Sequence, residues 1–398
     1  MQTFFILGTH QALARAELEA VVALGERAVD VDDVVIGEME APNLSAIQAR
    51  LGGVVKTGLI HATAKDHQEL VDVMAALIHT LRPGADKVRF GVSVYTGGHK
   101  GKMVALRSQS ERLGLQVKGA LKGDRGARLV TSKVPVLSSV IVKKQRLLDD
   151  GIEFCLFPRE QDILVGVTET VQDFETWGER DYGRPARDAA RGMLPPKLAR
   201  MMVNLAGGDP STHTILDPFC GVGTVLTEAI DLGYTKVIGS DADEVAVEAT
   251  RKNVLWEVAR KGIEVVPQLI RSRAESLNTF LAPVSVDRIV SEFDLGSPRT
   301  GEETQDELEK RLEKLTEMYT EALRALKSVM APGGIAVIAV PAYVLDDGSI
   351  IGTRIVDRAS LFGFSMVPWK QDGSLTPTLR YGRDGQFVWR DIYRLVRE

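Results

Sequence analysis

Two cysteines, Cys155 and Cys220, are the whole thiol complement of this 398-residue chain. Such a pair supplies neither a metal cage nor a disulfide framework. The six histidines are scattered, none at metal-ligand spacing. Long apolar runs are missing too: no stretch approaches ~18 uninterrupted apolar residues, which argues against a membrane span. The opening MQTFFILGTHQALARAELEA lacks a basic n-region and does not read as a signal peptide. Repeats and low-complexity tracts are absent. These absences point to a soluble, reducing, cytoplasmic protein with no bound metal.

What is present is ordinary globular material, 44% hydrophobic and 26% charged, long enough for two or three domains. The net charge of −5 conceals an uneven distribution. Residues 100–146 carry twelve Lys/Arg against Glu111 and Asp124, about +10, leaving about −15 elsewhere. A basic field on an acidic protein is a footprint expected for phosphate-backbone contact, and a solvated basic face is the plainer alternative. Lys118, Lys122, Arg125, Arg128, Lys143 and Lys144 are its candidate contacts.

Periodicity divides the chain. Residues 1–170 mix strands (Thr3–Leu7, Val88–Tyr95, Ile163–Val171) with helices (Leu13–Ala23, Gln68–Leu81, Met103–Leu113), an α+β pattern. Residues 172–196 form a charged, turn-rich connector. Strands and helices then alternate: Thr214–Leu216, Thr224–Leu232, Lys236–Ser240, Glu244–Glu257, Val265–Ile270, Asp287–Ser291 and Ile335–Val340. An amphipathic helix near Glu302–Val329 carries Leu308, Leu312, Leu315, Tyr319, Leu323 and Leu326 on one face. Phe387–Val396 supplies a last strand. The pattern predicts an α/β domain with a largely parallel sheet covered on both faces.

The stretch from Ile215 to Ala229, ILDPFCGVGTVLTEA, is the most informative. A strand ends at Asp217, Gly221 and Gly223 allow a tight turn and close ligand approach, and a helix opens near Thr224. The next strand ends at Asp241, where an acid can accept hydrogen bonds from ribose hydroxyls. The third glycine of a dinucleotide fingerprint is missing. Asp217 at the loop entrance would repel phosphate but pair with a cationic amino-acid group. A zwitterionic, sulfonium-bearing nucleoside, S-adenosylmethionine, therefore fits better than a dinucleotide. For Phe219 and Cys220 packing at the turn is an equally available role, since only their backbone need meet a ligand.

DPFCGVGTVLTEA resembles the first motif of the THUMP-domain guanosine-N2 RNA methyltransferases. The connector residues Val171 to Phe174, Arg180 to Pro185, Arg187-Asp188 and Gly192 to Ala199 resemble the same family. So do FFILGTHQALARAELEAV, Arg380-Tyr381, Gln386 to Val388 and Arg390 to Ile392, closest to the enzymes acting on guanosine 10 of tRNA. The resemblance implies a ferredoxin-like region at 1–54, a THUMP-like RNA-binding domain at 55–170, a connector at 171–196 and a class I Rossmann-like methyltransferase domain at 197–398. It assigns Asp217 to the methionine amino group, Phe219 to Gly223 to the cofactor wall and Asp241 to the ribose. Thr224 completes that wall.

Two stretches depart from the family pattern. The acid expected to meet the adenine is replaced by Arg273, with Glu275 as a substitute. Where an Asn/Asp-Pro-Pro-aromatic loop is expected, this chain reads Glu292-Phe293-Asp294-Leu295. Three readings stay open there: Glu292 and Asp294 orient an exocyclic amine while Phe293 stacks on the base; the loop serves another target; or the domain binds without turnover. Asp294 reads equally well as a loop-surface acid. Arg180, Arg184, Arg187 and Arg191 in the connector either contact phosphates near the active site, Arg184 and Arg187 foremost, or pair with Glu179, Asp181 and Asp188. The leading expectation is an S-adenosylmethionine-dependent tRNA guanosine-N2 methyltransferase. The alternatives are a non-catalytic RNA-binding protein with a retained cofactor pocket and, against the RNA-binding character of the N-terminal resemblance, a DNA amino-methyltransferase.

Overall fold

A computed structural model describes the chain except for residues 85, 124–125, 188–192 and 372–373. It resolves into two compact units, Met1–Glu175 and Thr176–Glu398. Among the described residues no helix is long and apolar enough to cross a membrane.

In the first unit β1 (Gln2–Leu7), α1 (Gln11–Val21), β2 (Arg27–Val31), β3 (Val34–Glu38), α2 (Leu44–Arg50) and β4 (Val54–Ala64) come first. They are followed by α3 (His67–Leu81), β5 (Lys87–Val94), α4 (Lys100–Ala120), β6 (Gly126–Val130), α5 (Ser139–Lys144), β7 (Ile152–Pro158) and β8 (Ile163–Val171). All eight strands join one sheet in the order β2-β3-β1-β4-β8-β7-β5-β6. Residues 1–54 and 55–170 thus share a single sheet. Helices α3 and α4 bury Leu70, Met74, Ile78, Leu113 and Val117 against Phe90, Phe154 and Val165.

Strand β7 escaped the periodicity reading because all seven of its residues are buried, so no polar alternation marks it. Its acid, Glu153, is fully buried and meets Lys56 Nζ, Ser93 Oγ and Thr168 Oγ1. Helix α4 starts about one turn before Met103 and runs about two turns past Leu113, its later turns seated by Leu113 and Val117.

The second unit begins with α6 (Phe174–Gly178), which crosses the boundary, and a π-helical turn, Glu179–Gly183. Then follow α7 (Pro196–Ala206), β9 (Thr214–Asp217), α8 (Thr224–Asp231), β10 (Lys236–Asp241), α9 (Glu244–Lys261), β11 (Gln268–Arg271) and β12 (Val286–Glu292). The chain continues through α10 (Gln305–Val329), β13 (Met330–Val344), β14 (Ile350–Gly352), α11 (Ile355–Ala359), β15 (Phe364–Met366), β16 (Trp369–Gln371), β17 (Ser374–Thr376), β18 (Leu379–Tyr381) and β19 (Val388–Arg397). The main sheet has the order β11-β10-β9-β12-β13-β19-β15. Strands β11 to β13 along this path are parallel, and β19 runs antiparallel to β13.

Helix α10 starts at Gln305 because Thr304 and Glu307 form a reciprocal capping box. Its apolar stripe buries Leu308, Leu312, Tyr319, Leu323 and Leu326, with Leu315 partly covered. The chain leaves β9 toward β10 on one side, while β12 lies on the other. That reversal opens a crevice at the carboxyl ends of β9 and β12, where ligands bind in open α/β sheets. Asp217 and Glu292 end those two strands.

Candidate active site

The loop after β9 takes its shape from two glycines. Gly221 has φ +51° and Gly223 φ +81°. A Cβ on Gly223 would lie 2.9 Å from Thr250 Cγ2, so α9 leaves no room for a side chain there. A Cβ on Gly221 would meet nothing within 4 Å, so this backbone is open to a ligand. Helix α9 also grips the loop through Thr250 Oγ1, which donates to Gly221 O at 2.8 Å, and Asn253 Nδ2, which donates to Val222 O at 2.7 Å. Cys220 is buried, its backbone N–H bound to Ser240 O and its thiol packed beside Thr250. Thr224 is buried at the first turn of α8.

Asp217 is 2% exposed. Its Oδ1 accepts from Ser291 Oγ at 2.6 Å and Phe219 N at 3.2 Å. Burial pushes its carboxyl up to about 7, the negative charges of Asp241 and Glu292 adding to that rise and the two hydrogen bonds opposing it. Asp241, at the end of β10, accepts from Gly221 N at 3.0 Å and Asp243 N at 2.9 Å. Both acids stand where the sequence reading put them.

Two cavities flank the loop. One, about 300 Å³, is lined by Asp217, Gly221, Thr224, Arg187, Asp243 and Glu292 among others. The other, about 680 Å³, is lined by Asp241, Ser272, Arg273, Glu275 and residues 292–298. They share Phe219, Gly221 and Glu292. Glu275 reaches the second cavity, but its carboxylate is paired with Arg273 Nε. An open glycine backbone, a buried acid whose charge waits for a cation, and an acid at the end of the second strand fit the amino-acid and ribose parts of S-adenosylmethionine.

Glu292 is half-buried at the junction of the cavities, its Oε1 bound to Arg390 Nε from β19. Among the described residues its Oε2 has no protein partner. The resemblance included Arg390 without giving it a role, since 98 residues separate the pair. Asp294 is exposed, and its Oδ1 is occupied by Gly296 N at 2.9 Å.

Several expectations are corrected. Phe293 does not present a face to a base: it is 1% exposed, its ring 4.7 Å from that of Phe219 and 5.2 Å, edge-on, from that of Tyr319. The apolar second position of the loop points into the core, and half-buried Phe219 lines both cavities instead. Arg184 is no phosphate contact. It is 6% exposed and donates from Nη1 to Thr224 Oγ1 at 2.7 Å, burial holding its guanidinium below the usual arginine range. Arg180 pairs with Glu228 and Asp231, not with Glu179 or Asp181, and stacks on Trp177 at 3.9 Å. Arg187 is exposed, 5.3 Å from the ring of Tyr182. Asp188 and Arg191 lie outside the described residues.

In the first unit Lys118, Lys122, Arg128 and Lys144 are exposed. Lys143 is also exposed but is paired with Asp173 and Glu175, so its charge is locally offset. Arg125 lies outside the described residues.

The fold and this site define a class I methyltransferase domain of the S-adenosylmethionine-dependent kind. Within that class, residues 184–345 match the family model described as the RMKL-like methyltransferase domain (UPF0020). The chain is 37% identical over 169 residues to a tRNA (guanine(10)-N2)-dimethyltransferase of Methanothermobacter thermautotrophicus, an alignment covering 42% of this chain and 44% of the relative. It is 26% identical over 359 residues to the Pyrococcus abyssi protein of the same name, covering 89% and 93%. The chain thus spans less than half of the first relative and nearly all of the second. The crystal structure of TrmN from Thermus thermophilus shares the fold over the whole of both chains, with a TM-score of 0.56 at 18% identity.

Proposed function

We propose that this protein transfers a methyl group from S-adenosylmethionine to the exocyclic N2 of a guanosine in tRNA, as a cytoplasmic enzyme. The observation that carries the reading is the placement of Glu292: it ends β12 beside Asp217 and faces both cavities, with one carboxylate oxygen held by Arg390 and the other free of partners among the described residues. Asp217 would take the methionine ammonium, Gly221 the backbone approach and Asp241 the ribose hydroxyls. Bound there, the cofactor supplies a methyl group already activated by its sulfonium, so no strong base is needed. Glu292 Oε2 accepts an N–H of the amine, which turns the nitrogen lone pair toward the incoming carbon. The target base must leave its stack to reach this carboxylate, at a cost of a few kcal/mol.

Residues 55–170 would serve as the THUMP-like grip on the RNA, with Lys118, Lys122, Arg128 and Lys144 as phosphate contacts. The two curated relatives named above support tRNA as substrate.

The test is incubation of the purified protein with unmodified tRNA and labelled cofactor, followed by nucleoside analysis. Labelled N2-methylguanosine is expected, and Glu292→Ala is expected to abolish it while cofactor affinity stays nearly intact. A fully active Glu292→Ala variant refutes the assignment. Tight binding of tRNA and cofactor by the native protein without any transfer would mark a non-catalytic RNA-binding protein.

A further inference from the structure

A loop that positions an amine without prolines needs another source of stiffness. Proline fixes φ covalently, and neither the second nor the third position of Glu292-Phe293-Asp294-Leu295 has one. The loop nevertheless has a defined course. Phe293 N donates to Ala339 O of β13 at 2.9 Å. The next two carbonyls are then captured in succession by buried phenols from two different elements. Tyr319 of α10 donates to Asp294 O, and Tyr343 of β13 donates to Leu295 O at 3.1 Å.

Both tyrosines are 0% exposed. Burial pushes both phenols above their ordinary range, nearby acids adding to the rise at Tyr319 and the guanidiniums of Arg311 and Arg299 opposing it at Tyr343, so each remains a protonated donor at physiological pH. A buried hydroxyl and its carbonyl are costly to leave unpaired, which makes each bond directional in effect. Gly296 closes the segment at φ +79°, and a Cβ there would sit 3.0 Å from Tyr343 Oη. The positive φ favours glycine here, and the phenol that holds Leu295 leaves little room for a side chain.

We infer that Tyr319 and Tyr343 are positioning residues for amine recognition, replacing with two buried hydrogen bonds the rigidity that prolines give related loops. The inference rests on the reading of Glu292 given above. With the carbonyls of Asp294 and Leu295 turned into the protein, these two backbone acceptors do not compete for the amine. Glu292 is left as the acceptor side chain at the junction of the cavities. Neither tyrosine is among the residues lining the two cavities. They act by fixing the backbone that carries Glu292 and its neighbours.

Tyr319→Phe, Tyr343→Phe and the double variant keep the rings and remove only the hydroxyls. Steady-state transfer to tRNA, cofactor affinity and amide hydrogen exchange of residues 293–298 are measured on the full chain. Each single change is expected to lower kcat about tenfold and the double about a hundredfold, the scale of a misplacement near 1 Å. KM for tRNA and cofactor affinity should stay within about twofold while exchange accelerates in that loop alone. Unchanged kcat with unchanged exchange overturns the inference, as does a kcat loss matched by loss of cofactor affinity. If the native protein transfers no methyl group to guanosine N2, the proposed function fails on its own. The exchange arm then decides the tethers: acceleration confined to the loop supports them, and none refutes them.

Discussion

The carboxyl of Asp217 couples cofactor affinity to pH in a way that can be worked from the structure. At 2% exposure, its pKa of about 7 means that near neutrality about half the ligand-free molecules carry a proton there. An ammonium ligand selects the ionised half. Apparent affinity should therefore rise roughly fifteen-fold between pH 5.5 and pH 7 and then level off, with about half a proton released on binding at pH 7. The sign for stability is opposite. A carboxyl whose folded pKa lies above its unfolded value contributes stability that is fully present below the unfolded pKa and is lost as pH rises through the folded pKa. As pH climbs from about 4 to about 7 the unfolded chain gives up its proton first, and stability falls by up to ~4 kcal/mol. Asp217→Asn should remove both effects: the ligand-free variant gains ~2–4 kcal/mol at pH 8, while cofactor binding weakens and loses its pH dependence. Calorimetric titration of S-adenosylmethionine in two buffers of different ionisation enthalpy reads the proton count, and urea melts at pH 4 and pH 8 read the stability. A flat affinity between pH 5.5 and 7 in the native protein, or a variant no more stable at pH 8, refutes the reasoning.

Gly223→Ala combines positive φ with a Cβ 2.9 Å from Thr250, and should destabilise the second unit by ~1–3 kcal/mol in denaturant melts while weakening cofactor binding. Lys56→Met leaves Glu153, fully buried, without its cation; a loss of ~3–5 kcal/mol in urea unfolding is expected, and a loss under 1 kcal/mol would count against the buried pair. Reversing Lys118, Lys122 and Arg128 should flatten the log–log salt dependence of tRNA binding by about 2–3, read by filter binding across a salt series, with cofactor affinity unchanged.

The sequence by itself determined the elements whose cause is local. The strand–loop–helix around Asp217 and Gly223 is legible because glycine is what a backbone at φ +81° demands. Helix α10 is legible because a stripe repeating every three to four residues must find a core, while its start at Gln305 is set by the capping box of Thr304 and Glu307 that the structure shows. The acid at Asp241 follows from the same short-range logic, one strand later. Burial of unexpected residues is not written in such patterns. Arg184 looks like an RNA contact until Thr224, 40 residues away, receives it. Phe293 looks like a stacking ring until Phe219 and Tyr319 enclose it. Strand β7 hides because a strand covered on both faces loses its alternation. The partner of Glu292 was beyond reach for the same reason: only the antiparallel seating of β19 on β13, opposing Pro341 and Arg390, carries that guanidinium to the end of β12. Local chemistry set where a cofactor loop would form; the packing of distant strands and helices set which charges remain free to act there.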